Sequence, residues 1–292
     1  MKPFDYILPA TLDAATGALA KYNSDARVLA GGTDLLIELR RTAAKSPRAV
    51  VDISRLKDLS GITESDDQIL LNPLSTHAEV CSSEVVRRHA PLLAMAASTI
   101  GSAQIRHRAT VGGNIMNAAA CADLVPPLVA LGARVILQSS RESRECDLAE
   151  FFLRPYKTIA RPDEILTKIQ FPKLNANAHS AFRKLGRRNA VAISRLSVAA
   201  VVERDAMGNI FRARIVPGAA FPTWGRAREA ERMLLGQVPS AELFAAVGRK
   251  VSELMISLTG RRWSTEYKEP VIAVLVRRVL EMCCEKTPGR HD

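Results

Sequence analysis

The chain has 292 residues, of which 47% are hydrophobic, 24% charged and 5% aromatic, and its 41 Lys and Arg against 30 Asp and Glu give a net charge of +11. This length predicts two domains, each large enough to bury a core, and the composition excludes a disordered or low-complexity chain. Uncharged stretches such as residues 124–133 are too short to span a membrane, and the N-terminus lacks a signal-peptide pattern, so we expect a cytoplasmic protein.

The first sixty residues are predicted to alternate helices and strands. Residues 11–21 carry apolar residues at helical spacing behind Thr11, a candidate N-cap. Short apolar strands are predicted at residues 27–30 and 49–53, with a helix over residues 35–42 between them. This pattern indicates a strand, turn, helix and strand unit.

The next hundred residues add helices to the predicted strands. A strand over residues 68–74 follows a turn, and residues 83–99 are helical in pattern with an interruption at Pro91. A helix over residues 124–131 leads into a strand over residues 133–138. Helices and strands in this order predict an α+β domain.

The pattern of predicted secondary structure changes after the polar stretch of residues 173–178, which we interpret as a linker. Strands over residues 197–203 and 210–216 flank a hairpin turn that contains Gly208 and Asn209. Three later segments carry apolar stripes at helical spacing, which predicts helices over residues 226–235, 241–254 and 267–285. The predicted division is a first domain over residues 1–176 with lobes of about 1–60 and 61–176, a second over 177–286, and a tail over 287–292.

The five cysteines are odd in number and have neither CxxC spacing nor histidines at zinc-ligand distances, so no disulfide framework and no metal site is predicted. Cys283 and Cys284 lie in an apolar helical pattern, which favours a packing role over redox activity. The basic residues are scattered as pairs with few aromatic residues between them, so nucleic-acid binding is weakly supported. The charge fits a phosphate-bearing cofactor and acidic partner subunits equally well.

Two glycine-rich segments, AGGTDLL at residues 30–36 and TVGGN at residues 110–114, are the most informative motifs. Paired glycines let backbone N–H groups approach an anion closely, and a helix beginning near Leu35 adds its positive end. Either pair alone is typical of a tight turn, but together they could hold a pyrophosphate from two sides. Neither matches GxxxxGK[ST] or GxGxxG, which disfavours a P-loop NTPase and a Rossmann dehydrogenase.

The order of six segments, AGGTDLL, VDIS, QIRHRATVGGN, ADLVPPLVALGARV, EILTKIQFP and FRKLGRRNAVAIS, resembles the FAD-binding subunit of the molybdenum hydroxylases. That family includes xanthine dehydrogenases and aerobic carbon monoxide dehydrogenases, and the similarity runs from Phe4 to about Leu280. It implies an α+β, two-domain flavoprotein: a vanillyl-alcohol-oxidase-type (PCMH-type) FAD-binding domain, followed by a C-terminal domain of a sheet covered by helices.

The resemblance also implies the cofactor contacts. The pyrophosphate of FAD would be held by Val28, Leu29, Ala30, Gly31, Gly32, Thr33, Asp34 and Leu35 of the first segment and by Thr110, Val111, Gly112, Gly113 and Asn114 of the second. Ile100 would lie by the isoalloxazine, Asp123 would hydrogen-bond the cofactor, Leu166 would contact the flavin and Lys184 would lie near it. By sequence alone, Asp123 is also an N-cap candidate, Leu166 a strand core residue and Lys184 a solvated lysine.

The chain departs from the family where His107 and Ala109 replace the common Asn and Gly. The family binds FAD without a covalent bond, so His107 and Cys121 are not expected to carry the flavin. The cysteine-bearing insertion of one hydroxylase branch is absent between Asn114 and Asp123, so an additional iron–sulfur cluster and that branch's reductase chemistry are not expected.

The resemblance implies the medium subunit of a complex. A large molybdopterin subunit would hydroxylate the substrate, a small subunit with two iron–sulfur clusters of the two-iron two-sulfur type would pass the electrons on, and FAD on this chain would deliver them to an external acceptor. We expect a dimer of such heterotrimers. No catalytic residue of its own is predicted, because the chemistry belongs to the flavin.

Two other functions stay open at this point. A stand-alone flavin oxidase of the same fold would need a substrate-directed base, and no such residue is evident. A nucleotide-binding or RNA-binding protein without enzymatic activity would show tight, salt-sensitive RNA binding and no flavin.

Overall fold

The computed structural model describes residues 3–41, 46–188 and 190–285. Its helices are α1 (Leu12–Tyr22), α2 (Leu35–Arg41), α3 (His77–Ser82), α4 (Glu84–His89), α5 (Pro91–Ser98), α6 (Ala103–Arg106), α7 (Val111–Asn117), α8 (Val125–Leu131), α9 (Arg228–Arg232), α10 (Ala241–Thr259) and α11 (Thr265–Cys284). Its strands are β1 (Asp5–Ile7), β2 (Ala26–Leu29), β3 (Ala49–Asp52), β4 (Ile62–Glu64), β5 (Gln68–Leu71), β6 (Arg134–Gln138), β7 (Ser143–Asp147), β8 (Phe152–Arg154), β9 (Lys157–Thr158), β10 (Ile165–Pro172), β11 (Ala178–Leu185), β12 (Leu196–Arg204) and β13 (Ile210–Gly218).

The N-terminal lobe is a parallel sheet of three strands in the order β1-β3-β2. The hydroxyl of Thr11 accepts the backbone N–H of Ala14 and begins α1, as the sequence predicts. Helix α1 buries Ala15 and Leu19 against the apolar side chains of β3. The predicted strand, turn, helix and strand unit is therefore confirmed as β2, α2 and β3; residue Thr42 of the predicted helix lies outside the described residues.

The second lobe is an antiparallel sheet of five strands in the order β4-β5-β10-β6-β7, whose buried side chains share one hydrophobic core with those of α3, α5 and α8. Its core includes the fully buried Phe151 and Phe171. The predicted interruption at Pro91 is confirmed, because α4 ends at His89 and α5 begins at that proline. Helix α8 is buried along its whole length, as expected for an uncharged segment.

The C-terminal domain is an antiparallel sheet in the order β11-β12-β13, with the predicted hairpin between β12 and β13. The Asp205 carboxylate accepts the N–H groups of Met207 and Asn209, and Gly208 has φ +87°, so the turn is locally encoded. Strand β12 is buried on both faces: Val198 and its alternate neighbours pack towards α10 and α11, and Ala199 and its alternate neighbours join the core of the second lobe. This places β11 and β12 directly beside α5 and α8.

Several element boundaries differ from the sequence prediction. Helix α9 is only five residues long, so half of the predicted helix over residues 226–235 is not helical. Helix α10 continues to Thr259, and α11 begins at Thr265. Residues 173–177 of the predicted linker form an irregular connection, Ala178 already belongs to β11, and the predicted tail lies outside the described residues.

Candidate functional site

The first glycine segment forms the turn between β2 and α2. Gly32 adopts φ +76°, a left-handed conformation that glycine reaches without strain, and its carbonyl accepts the N–H of Leu36 to begin the helix. Among the described residues, none accepts a hydrogen bond from the backbone N–H groups of residues 31–35. The turn therefore presents consecutive donors that are available to an anion.

The second glycine segment is not a turn, contrary to the sequence prediction. Thr110 is the N-cap of α7, and Gly112 and Gly113 lie inside the helix. The N–H groups of residues 111–114 all donate to protein acceptors, so they are not available to a ligand. Glycine at position 112 serves close packing instead, because a Cβ there would lie 2.5 Å from the Cβ of Pro73. In this segment, the buried side-chain oxygen Oδ1 of Asn114 has no hydrogen-bond partner among the described residues, so it could accept a hydrogen bond from a ligand.

The two segments nevertheless meet. A Cβ on Gly31 would overlap the carbonyl oxygen of Arg108, so the first segment packs directly on the backbone that leads into the second. An open groove of about 220 Å³ runs beside this contact. The residues lining it include Ala30, Gly31, Ser54, Thr76, His107 and Thr110.

A buried ion pair joins Asp123 to Lys184 across 61 positions of sequence. The ammonium of Lys184 lies 2.6 Å from Oδ2 of Asp123 and donates to the carbonyl of Thr99 at 3.2 Å, and their side chains are 9% and 6% exposed. The hydroxyl of Ser194 donates to the other oxygen of Asp123. Burial raises the pKa of Asp123, while Lys184 and Ser194 lower it.

Two interpretations made without the resemblance are wrong. Asp123 does not cap α8, which begins at Val125 behind Leu124 and has no side-chain cap. Lys184 is not a solvated lysine, because its ammonium is held between a carboxylate and a carbonyl. Ile100 directly follows Thr99, whose carbonyl Lys184 binds, and it packs against the core of the second lobe.

Leu166 is a core residue of strand β10. It is 3% exposed, pairs with Leu137 in the sheet and belongs to the core of the second lobe. Its burial fits the packing role that its sequence suggests. A contact between Leu166 and the flavin stays a prediction.

Two polar residues at the site have roles that the sequence analysis missed. Ser194 is 71 positions from Asp123, and no local pattern marks it as a partner of that carboxylate. The backbone N–H of His77 donates to the carbonyl of Ala109, directly before the second segment, and the buried Nδ1 of its ring has no hydrogen-bond partner among the described residues. Burial and nearby Arg106 lower the pKa of His77 to about 4, so its imidazole is neutral at physiological pH.

Comparison with known proteins gives the family. Residues 2–174 match the family model described as the FAD binding domain in molybdopterin dehydrogenase, and residues 180–283 match the carbon monoxide dehydrogenase flavoprotein C-terminal domain. The chain belongs to this flavoprotein family. The predicted α+β, two-domain fold and the FAD cofactor are thereby confirmed.

Similar proteins align with nearly all of this chain. It is 32% identical to a 6-hydroxypseudooxynicotine dehydrogenase complex subunit alpha of Paenarthrobacter nicotinovorans, over 96% of this chain and 95% of that protein. It is 31% identical to the nicotinate dehydrogenase FAD-subunit of Eubacterium barkeri, with 99% of each chain covered. In carbon monoxide dehydrogenase from Hydrogenophaga pseudoflava, a chain 28% identical superposes with a TM-score of 0.89, over 97% of this chain and 98% of that one.

These relatives are dehydrogenase subunits, which places the flavoprotein among oxidoreductases. A non-enzymatic RNA-binding protein is therefore not supported. Among the helices that the structure describes, none combines the length and apolar character that crossing a membrane requires.

Proposed function

We propose that this flavoprotein is the medium subunit of a cytoplasmic molybdenum-containing complex, in which it binds FAD noncovalently and passes electrons to an external acceptor. The electrons come from iron–sulfur clusters of a small partner subunit, a large subunit holds molybdopterin, and the complex is a dimer of heterotrimers. Residues 1–176 hold the cofactor, and residues 177–286 close one side of its site. The observation that carries the proposal is the first glycine turn, with its unpaired N–H groups beside the groove.

The pyrophosphate of FAD fits the end of the site that is formed by the first glycine turn and the groove beside it. The N–H groups of residues 31–35 supply donors without side-chain bulk, and Gly31 is required by its contact with Arg108. The second segment contributes differently from a phosphate loop, since its backbone donors are already used. Its contribution is the unpartnered Oδ1 of Asn114 and the tight packing that fixes the groove wall.

The isoalloxazine end fits the region of Asp123, Lys184 and Ile100. Lys184 holds both the Asp123 carboxylate and the carbonyl of Thr99, so one ammonium fixes an acid assigned to the cofactor and the backbone that leads into Ile100. Because the ion pair is close to neutral as a unit, its role is to fix hydrogen-bonding groups more than to supply net positive charge. When bound, FAD supplies the redox chemistry, for which the described residues offer positioning and polarity.

The proposal is tested by purifying the chain and releasing its flavin with acid. We expect a yellow protein whose flavin stays in the supernatant after precipitation. Gly31→Ala should lose flavin because its Cβ overlaps the carbonyl of Arg108. Gly17→Ala is the matched control, because a Cβ at this α1 position meets nothing within 4 Å. Full flavin in Gly31→Ala, or flavin that precipitates with the protein, would contradict the binding mode.

A further inference from the structure

Three cations converge at the beginning of α11. The ammonium of Lys268 donates to the carbonyl of Ala219 at 2.6 Å, and the guanidinium of Arg195 lies 5.1 Å from the centre of the Tyr267 ring. The backbone N–H of Arg262 donates to the hydroxyl of Thr265 at 2.7 Å, which holds this arginine at the first turn of α11, and its charge lowers the pKa of Lys268. We refer to Arg195, Arg262 and Lys268 as the basic face.

No carboxylate of the described residues forms a salt bridge with the basic face. The contrast with the adjacent Arg261 is direct, since its guanidinium pairs with Glu269 at 3.0 Å. The pKa of Lys268 is lowered by burial first, and then by the charges of Arg262 and Arg195. Like charges held together and partly desolvated destabilise one another, so an anionic partner would relieve a repulsion already present in the fold.

Exposed apolar side chains border the same face. Trp263, next to Arg262, is 90% exposed, and Ile193, two residues before Arg195, is 76% exposed. Tryptophan and arginine are enriched among the residues that contribute most to protein–protein binding. A small anion needs no such apolar border, whereas a protein surface would cover it.

The position of the basic face links it to the cofactor site. Arg195 directly follows Ser194, whose hydroxyl donates to Asp123, and its N–H donates to the carbonyl of Leu185 at 2.8 Å. Leu185 in turn directly follows Lys184. A partner bound to Arg195 would therefore contact a residue that is joined, through its neighbour Ser194 and through Leu185, to Asp123 and Lys184.

We propose that the basic face docks a carboxylate-rich surface of the protein subunit that exchanges electrons with the flavin. This proposal rests on the proposed function and adds the surface to it. The cations select an acidic partner and orient it, and Trp263 and Ile193 are covered in the complex. Because exposed charges act mainly on encounter, we expect their effect in the association rate and its salt dependence.

The test uses the FAD-loaded chain together with the large and small partner subunits of the proposed complex. Arg195→Glu and Arg262→Glu are compared with wild type, and Arg249→Glu is the matched control, since Arg249 is an exposed arginine of α10 without a salt bridge among the described residues. Association rates are measured at roughly 0.05 M and roughly 0.5 M salt, between which the Debye length falls about threefold. Flavin content is measured on each sample first.

We expect both variants of the basic face to associate about tenfold more slowly than Arg249→Glu at low salt, with the difference shrinking at high salt. Equal rates in all three variants would overturn the docking proposal. It would also be overturned if association were unchanged and only reduction of a free anionic acceptor such as NAD were slowed, because the site would then take a small anion. A wild-type chain that binds neither flavin nor the partner subunits contradicts the proposed function itself, so the two failures are distinguishable.

Discussion

Replacing Lys184 with methionine tests the buried ion pair on which the isoalloxazine end depends. The substitution keeps most of the side-chain volume and removes the ammonium that lies 2.6 Å from Asp123 and 3.2 Å from the Thr99 carbonyl. The Asp123 carboxylate would keep one donor, the hydroxyl of Ser194. The variant therefore isolates the cost of a buried charge that has lost its counter-ion.

Removal of one partner of a buried ion pair commonly costs about 3–5 kcal/mol. We expect a loss near the lower end, about 3 kcal/mol, because Ser194 still donates and the carboxyl can take up a proton. Without Lys184, only Ser194 opposes the effect of burial, so the pKa of Asp123 rises further. A raised folded-state pKa gives stability that is present below the unfolded value of about 4 and is lost as pH rises, so the deficit should grow from about pH 4 towards neutrality.

The measurement is urea unfolding of the flavin-free chain, followed by circular dichroism at acidic and neutral pH. Lys250→Met is the control, because Lys250 forms a more exposed pair with Glu229 and its replacement should change stability little. The double variant Lys184→Met, Asp123→Leu should be more stable than Lys184→Met alone, since it leaves no unpaired charge. If Lys184→Met unfolds like Lys250→Met, or if the double variant shows the sum of both losses, the buried pair does not act as described.

Two further predictions concern packing. Arg214→Met should lower the free energy of unfolding by about 1–3 kcal/mol, because the guanidinium of Arg214 donates to the carbonyl of Ala130 near the end of α8 and its loss leaves that carbonyl unpaired. Chemical denaturation measures this loss, and an unchanged midpoint would show that the hydrogen bond contributes nothing to stability. Cys283 should resist a thiol reagent at pH 8 until the chain unfolds, because burial raises the pKa of its thiol and leaves little thiolate. Labelling of Cys283 in the native protein at the rate of a free thiol would refute this prediction.

Features encoded by neighbouring residues could be read from the sequence. The hairpin turn depends on Asp205 and on the positive φ of Gly208, and the start of α1 depends on a hydroxyl three residues from the N–H that it accepts. The break at Pro91 follows from the missing N–H of proline. Each depends on atoms a few residues apart, so the local sequence contains all the information.

The position of the first glycine turn was also predictable, but the role of the second segment was not. Paired glycines indicate that another group approaches the backbone closely, but they do not show whether that group is a ligand or another segment of the chain. At Gly31 the close neighbour is the backbone at Arg108, and at Gly112 it is Pro73, so both glycines serve contacts within the chain. Only packing distinguishes such a contact from a ligand contact.

The ion pair shows the same limit in electrostatic terms. The resemblance brought Asp123 and Lys184 to notice, but their contact, and that of Ser194, depends on β11 and the following loop packing beside α5 and α8. A lysine in sequence is charged and solvated by default, and burial against one particular carboxylate changes both its environment and its role. The sequence alone determined the fold class, the glycine turn and the apolar faces, because these follow from local geometry and periodicity; the tertiary structure decided which polar groups are buried and paired, because partners 61 and 71 residues apart meet only after separate elements have packed.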